Sequence, residues 1–124
     1  YVDAIISYQK PDGWICPCKE EEIPTYDTWA VQLISKVLVV YYECSGDERI
    51  PTVVYRVMKN YYDLLSSGKI RLFNWGRARW FEAFIALNFL WERTFSFQFQ
   101  IYAYFIYFHL NCLHNLFLLH YLKP

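Results

Sequence analysis

The spacing of apolar residues predicts four helices joined by polar turns over residues 1–94. Apolar side chains recur every three or four residues from about residue 29 to 43 and again from about 51 to 65, which is the pattern of α-helices with one buried face. Two further helices are predicted at residues 2–9 and at about 77–93. The positions predicted to be buried are Val31, Ile34, Val37, Leu38, Tyr41, Val54, Val57, Met58, Tyr61 and Leu65.

Residues typical of helix ends lie between these segments. A turn of sequence KPDG at residues 10–13 ends the first helix, and either Asp27 or Thr28 is suited to cap the start of the second. Gly46 is suited to the left-handed position that follows a helix end. Pro51 is favourable in the first turn of the third helix.

The chain changes character near Thr94, which divides a helical unit at 1–94 from a hydrophobic tail at 95–124, either helical or disordered. Residues 95–122 contain no charged residue and no glycine. They are long enough for a membrane anchor of about 20 residues, although their glutamines, asparagines and histidines are costly in a bilayer. Two other interpretations are a buried helix and a frameshift or read-through immediately after Thr94.

Charge and cysteine content exclude some classes of function. The 124 residues carry 12 Lys or Arg and 12 Asp or Glu, so no basic field favours a nucleic-acid partner. No charged leader precedes an apolar core near the start. The four cysteines are irregularly spaced and do not suggest a disulfide framework. We therefore expect a cytoplasmic location.

A weak internal repeat relates the second and fourth helices. One ends in YYECSGD at 41–47 and the other in LWERT at 90–94, and their opening tryptophans, Trp29 and Trp80, are roughly fifty residues apart. Repeats of this period stack helical hairpins into an open solenoid or a closed toroid. Because one or two hairpins cannot cover their own apolar faces, and because Tyr1 already lies in a helix-like run, we expect a fragment of a larger all-α fold.

Four groups of motifs follow one another in order over residues 1–94. They are DGWICPC at 12–18, YDTW at 26–29, YYE at 41–43 with GDER at 46–49, and LFNWG at 72–76 with RWFE at 79–82. Each is weak alone, but their order and spacing together are more specific. In these motifs the segment resembles glycoside hydrolase family 127, the β-L-arabinofuranosidase-like enzymes.

The resemblance implies an (α/α)₆ toroid whose hairpin loops surround a sugar-binding funnel for β-L-arabinofuranosides or related plant-type glycans. Members of the family are retaining glycosidases with a cysteine nucleophile near a zinc ion, which lowers the pKa of the thiol, and a glutamate that serves as acid/base. In the family these residues lie C-terminal to the matched part. We therefore assign no catalytic residue and no zinc ligand to this chain, and expect it to be inactive.

Two candidate sugar contacts precede the second helix or begin it. Asp27 beside Trp29 offers a carboxylate and an aromatic face, which is a combination found in carbohydrate sites. Asp27 is equally well explained as a helix cap worth about 1 kcal/mol.

The segment at residues 75–82 supplies the other candidates. Trp75 and Trp80 are predicted either to contact a sugar or to pack in the core, and Gly76 permits either a close backbone approach or a positive φ. Arg79 and Glu82 are candidates as well, although their spacing of three also predicts an internal ion pair.

Cys16 and Cys18 invite a metal-site interpretation because thiolates bind zinc. Their single-residue gap is not the spacing usual in zinc knuckles, and no second pair follows nearby, so we expect loop packing.

Two alternative functions stay open beside the hydrolase fragment. One is a small helical membrane protein anchored by residues 95–122, and the other is a non-catalytic helical-repeat interaction module.

Overall fold

Two long helices joined by a short turn form the centre of the structure, a computed structural model that describes residues 1–94 and Tyr102. In chain order the elements are α1 (Val2–Ser7), a 3-10 helix (Glu20–Thr25), α2 (Trp29–Ser45), α3 (Ile50–Ser66), α4 (Asn74–Ala78), a 3-10 turn (Trp80–Glu82) and α5 (Ala83–Thr94). No strand occurs among these described residues. The predicted all-α class is therefore confirmed here, whereas the toroid stays a prediction.

Helices α2, α3 and α5 pack against one another and enclose the core. On α3 the apolar positions follow the helical period closely, and every α3 position predicted to be buried is buried. Ile50 and Val54 are completely inaccessible. Burying such aliphatic side chains contributes roughly 1.5–3 kcal/mol each, so the inner face of α3 is a main source of stability.

The buried face of α2 differs from the prediction at Val37. This side chain is 45% exposed, because the face turned toward α3 and α5 includes Gln32 and Ser35, which are both fully buried. A prediction from hydrophobicity alone does not place polar residues in the core. The predicted buried face of α2 is therefore rotated about the helix axis relative to the observed buried face. Val31 and Leu38 are buried as predicted.

The predicted helix ends are largely confirmed. Gly46 ends α2 in the left-handed conformation, with φ 68°, and Pro51 lies in the first turn of α3. The turn at residues 10–13 closes through a hydrogen bond from the Gly13 N–H to the Lys10 carbonyl, 2.9 Å long. The first helix ends at Ser7 rather than Gln9.

The single helix predicted at residues 77–93 is wrong in its first part. The chain forms α4, leaves helical geometry at Arg79 (φ −115°, ψ 23°) and makes a 3-10 turn before α5 begins. At the break, the Arg79 side chain lies near the Trp29 ring of α2 and the Trp75 ring of α4, and it pairs with Glu82 in the 3-10 turn. These tertiary contacts outweigh the local preference for a continuous helix.

The interpretations of the hydrophobic tail fall on residues 95–124, which lie outside the described residues except for Tyr102. Tyr102 is 4% exposed, and its ring stacks on that of Tyr62 in α3, with centroids 4.0 Å apart and an interplanar angle of 19°. Within the described part of the chain, no helix combines the length and the apolar character needed to cross a membrane.

Candidate functional site

Two tryptophans from distant parts of the chain meet at the starts of α2 and α4. The ring centroids of Trp29 and Trp75 are 6.1 Å apart and the ring planes are inclined by 43°. Trp75 is 56% exposed, whereas Trp29 is half-buried. An aromatic side chain of this size is usually buried when it serves only packing, so the exposed Trp75 ring offers a surface for a ligand.

Arg79 lies across both rings. Its guanidinium carbon is 5.8 Å from the Trp29 ring centroid and 5.7 Å from that of Trp75, within the range of cation–π contact. About half of the Arg79 side chain, 47%, is exposed. We call Trp29, Trp75 and Arg79 the tryptophan platform.

Glu82 accepts hydrogen bonds from two members of this platform. Its Oε1 accepts a hydrogen bond from Arg79 Nη1 at 3.0 Å, and its Oε2 accepts one from Trp29 Nε1 at 3.4 Å. The carboxylate is almost completely buried. The Arg79 guanidinium, and to a smaller extent the Trp29 indole, lower the pKa of Glu82 below its ordinary value, against the opposing effect of burial. The ion pair predicted from the spacing of Arg79 and Glu82 is confirmed.

Asp27 joins the two helix starts that carry the tryptophans. Its Oδ1 accepts the backbone N–H of Trp29 at 3.0 Å and that of Gly76 at 2.8 Å. Its Oδ2 accepts the N–H of Trp75 at 3.2 Å. Backbone N–H groups in the first turn of a helix lack intrahelical partners, so one carboxylate caps α2 and α4 together. The capping interpretation of Asp27 is therefore confirmed.

Gly76 allows α4 to approach α2 closely. A Cβ atom at this position would lie 2.3 Å from Thr28 Oγ1 and 3.1 Å from Asp27 Oδ1. Gln32 holds the other side of the contact, because its Nε2 donates to the Gly76 carbonyl at 3.2 Å and to the Tyr61 hydroxyl at 2.9 Å. The close approach expected at Gly76 is confirmed.

Trp80 contributes differently from the other five candidates. Its ring packs edge-to-face on Phe84, with centroids 5.3 Å apart, and lies near Phe81 at 6.5 Å. Trp80 is half-buried. Of the two roles that the sequence allowed, sugar contact and packing, these contacts correspond to packing.

The cysteine pair lies away from the platform, in the loop after α1. Cys16 is 3% exposed, and burial raises the pKa of its thiol to about 12, opposed by a hydrogen bond with Tyr26. Cys16 thus packs as expected, in its neutral form. Within residues 1–94, no three His, Cys, Asp or Glu side chains are grouped as metal ligands. Cys112 lies outside the described residues.

The platform is suited to binding rather than to proton transfer. A glycosidase general acid needs a raised pKa, and the pKa of Glu82 is shifted in the opposite direction. The exposed Trp75 face and the outer edge of Arg79 instead present an apolar surface beside hydrogen-bond donors. Small-ligand sites in proteins commonly combine an apolar surface with a few polar groups in this way.

Searches of protein-family models, of curated proteins and of solved structures found no match to this chain. The resemblance to glycoside hydrolase family 127 therefore stays a prediction.

Sequence reasoning missed two groups of residues that the structure brings together. Gln32 donates a hydrogen bond to the Gly76 carbonyl and so links α2 to α4, and Thr28 is buried where α4 approaches α2. No sequence signal marks these two polar residues as buried. Lys69, Arg71 and Arg77 line one groove. The basic residues of this groove could have been predicted from the sequence, since residues 64–81 contain basic residues but no acidic one.

Proposed function

We propose that this chain carries part of the carbohydrate-binding surface of a β-L-arabinofuranosidase-like glycoside hydrolase and does not itself catalyse hydrolysis. The observation that carries the proposal is the platform, in which Trp29 of one motif group meets Trp75 and Arg79 of another group about fifty residues away. These motifs are among those on which the family resemblance rests. Their convergence supports a shared function for them.

In this proposal the sugar contacts the Trp75 face and the exposed edge of Arg79. Glu82 and Asp27 act as positioning residues, because the first holds the guanidinium of Arg79 and the second holds the backbone that carries both tryptophans. A direct sugar contact by Asp27 or Glu82 stays a prediction. The zinc ion and the acid/base glutamate of the family are assigned to no residue of this chain.

The proposal is tested by calorimetric titration of the chain with arabinofuranosyl oligosaccharides. Removing about 50 Å² of apolar contact weakens binding by about ten-fold, so the Trp75→Ala variant should bind about ten times more weakly. Tyr8→Ala is the matched control, since Tyr8 is also an exposed aromatic residue, at 63%, but lies at the end of α1. Equal affinities of the Trp75→Ala variant and the unsubstituted chain would contradict the proposal.

One observation favours a second candidate, the helical-repeat interaction module. Leu33, Val37 and Val40 form an exposed apolar stripe on the outer side of α2, at the spacing of one helix face. A neighbouring helical hairpin would cover such a stripe. The Val37→Glu variant should then lower self-association in light scattering while leaving sugar binding unchanged. Unaltered self-association would exclude this stripe as the interface.

A further inference from the structure

A groove on another side of α4 is lined by basic residues. It has a volume of about 530 Å³ and lies between the end of the 3-10 helix Glu20–Thr25 and the segment that leads into α4. Small-ligand sites typically have volumes of about 300–1,000 Å³. Its lining includes the basic residues Lys69, Arg71 and Arg77 and the apolar residues Leu72 and Phe73. Three of these are cationic and none is acidic.

Two cations of this groove, Lys69 and Arg71, differ from those that form salt bridges elsewhere in the described chain. Elsewhere Arg49 pairs with Asp3 and Asp47, and Lys59 pairs with Asp63. No salt bridge or side-chain hydrogen bond involves Lys69 or Arg71 among residues 1–94, and both side chains are exposed. The groove therefore concentrates positive charge, although the whole chain has a formal net charge of zero.

From this arrangement we infer that the groove binds a small ligand through a tetrahedral oxyanion, a phosphate or sulfate group. The Arg71 guanidinium presents several donors in a planar fork that matches such an oxyanion, and Lys69 adds a second charge. Leu72 and Phe73 add apolar walls beside these cations. The inference does not rest on sugar binding by the platform.

The test is an NMR titration of the full chain with pyrophosphate, inorganic phosphate and sulfate. Sodium chloride keeps the ionic strength constant, so that general screening is the same throughout. Pyrophosphate should produce saturable shifts of the backbone amides at residues 68–73. Phosphate and sulfate should shift the same amides, and the tighter of the two identifies the preferred group.

Variants decide whether the cations of the groove are responsible. Lys69→Gln and Arg71→Gln should each weaken pyrophosphate binding by about ten-fold, which is typical for one hydrogen bond to a charged group. Lys59→Gln is the control, because it removes the same charge from an exposed position on α3 outside the groove. Shifts that do not saturate, or equal loss of affinity in the Lys59 variant, would overturn the inference.

Discussion

Replacing Asp27 by alanine removes three backbone hydrogen bonds at once, those from Trp29, Trp75 and Gly76. Loss of the cap on α2 costs about 1 kcal/mol. The two N–H groups of α4 lose their acceptor as well, at about 1 kcal/mol each, reduced where water replaces it. The bond from Trp75 is exposed and that from Gly76 is part-buried, so we expect a total loss of about 2–3 kcal/mol.

Asparagine at this position should have a smaller effect. Its single carbonyl oxygen can replace Oδ1, which serves Trp29 and Gly76, so only the exposed bond to Trp75 and the charge are lost. We expect Asp27→Asn to lower the free energy of unfolding by about 1 kcal/mol. The control is Asp63→Ala, which removes an acid from an exposed i,i+4 pair and should change stability by less than about 0.5 kcal/mol.

The measurement is urea denaturation followed by circular dichroism, with the free energy of unfolding obtained by linear extrapolation. The predicted order of stability is the unsubstituted chain and Asp63→Ala, then Asp27→Asn, then Asp27→Ala. The reasoning is refuted if Asp27→Ala is no less stable than Asp63→Ala. Equal losses for the alanine and asparagine variants would show that the retained oxygen does not cap both helices.

Three further predictions concern the same region and the buried thiol. Gly76→Ala should destabilise the chain by about 1–3 kcal/mol, since its Cβ would lie 2.3 Å from Thr28 Oγ1. In urea denaturation, adding Thr28→Ala to this variant should restore part of the lost stability. Absence of any such rescue would argue against this contact. The pKa of Glu82 is lowered in the folded chain. Its ionised carboxylate therefore stabilises the fold at pH values above the ordinary carboxyl pKa, and this stabilisation is lost as the pH falls through the lowered pKa. Arg79→Gln should therefore raise the pKa of Glu82, measured by carboxyl ¹³C NMR, and an unchanged titration would contradict the ion pair as its cause. Burial raises the pKa of Cys16 to about 12, so iodoacetamide should modify it slowly until the chain is unfolded in urea; peptide mapping that finds rapid modification in the native chain would contradict this.

The helices were predictable where a single physical signal dominates. On α3 the apolar residues alone define the buried face, and its positions follow from their spacing. On α2 that signal is incomplete, because Gln32 and Ser35 are buried among apolar residues. Gln32 is accommodated there by hydrogen bonds to Tyr61 and the Gly76 carbonyl, partners that the sequence does not reveal.

The sequence predicts which residues belong to the candidate site, but it does not predict how they are arranged in space. Trp29, Trp75, Arg79 and Glu82 were identifiable as aromatic and charged residues near helix starts. Their meeting depends on the bonds of Asp27 to both helix starts and on the break at Arg79. The break contradicts local helical preference, and the bonds from Trp75 and Gly76 to Asp27 join residues distant in sequence, so both are tertiary effects.

Indole NMR signals report on sugar contact by the exposed Trp75 ring. The ¹⁵N-labelled chain would be titrated with an arabinofuranosyl oligosaccharide to concentrations on the order of 10 mM, which detect even weak binding. We expect a saturable shift of the Trp75 indole N–H signal and a smaller one for Trp29, whose N–H is bonded to Glu82. Trp14, which is 2% exposed, should not respond. Unshifted Trp75 and Trp29 signals over the whole titration would show that the sugar does not contact this site.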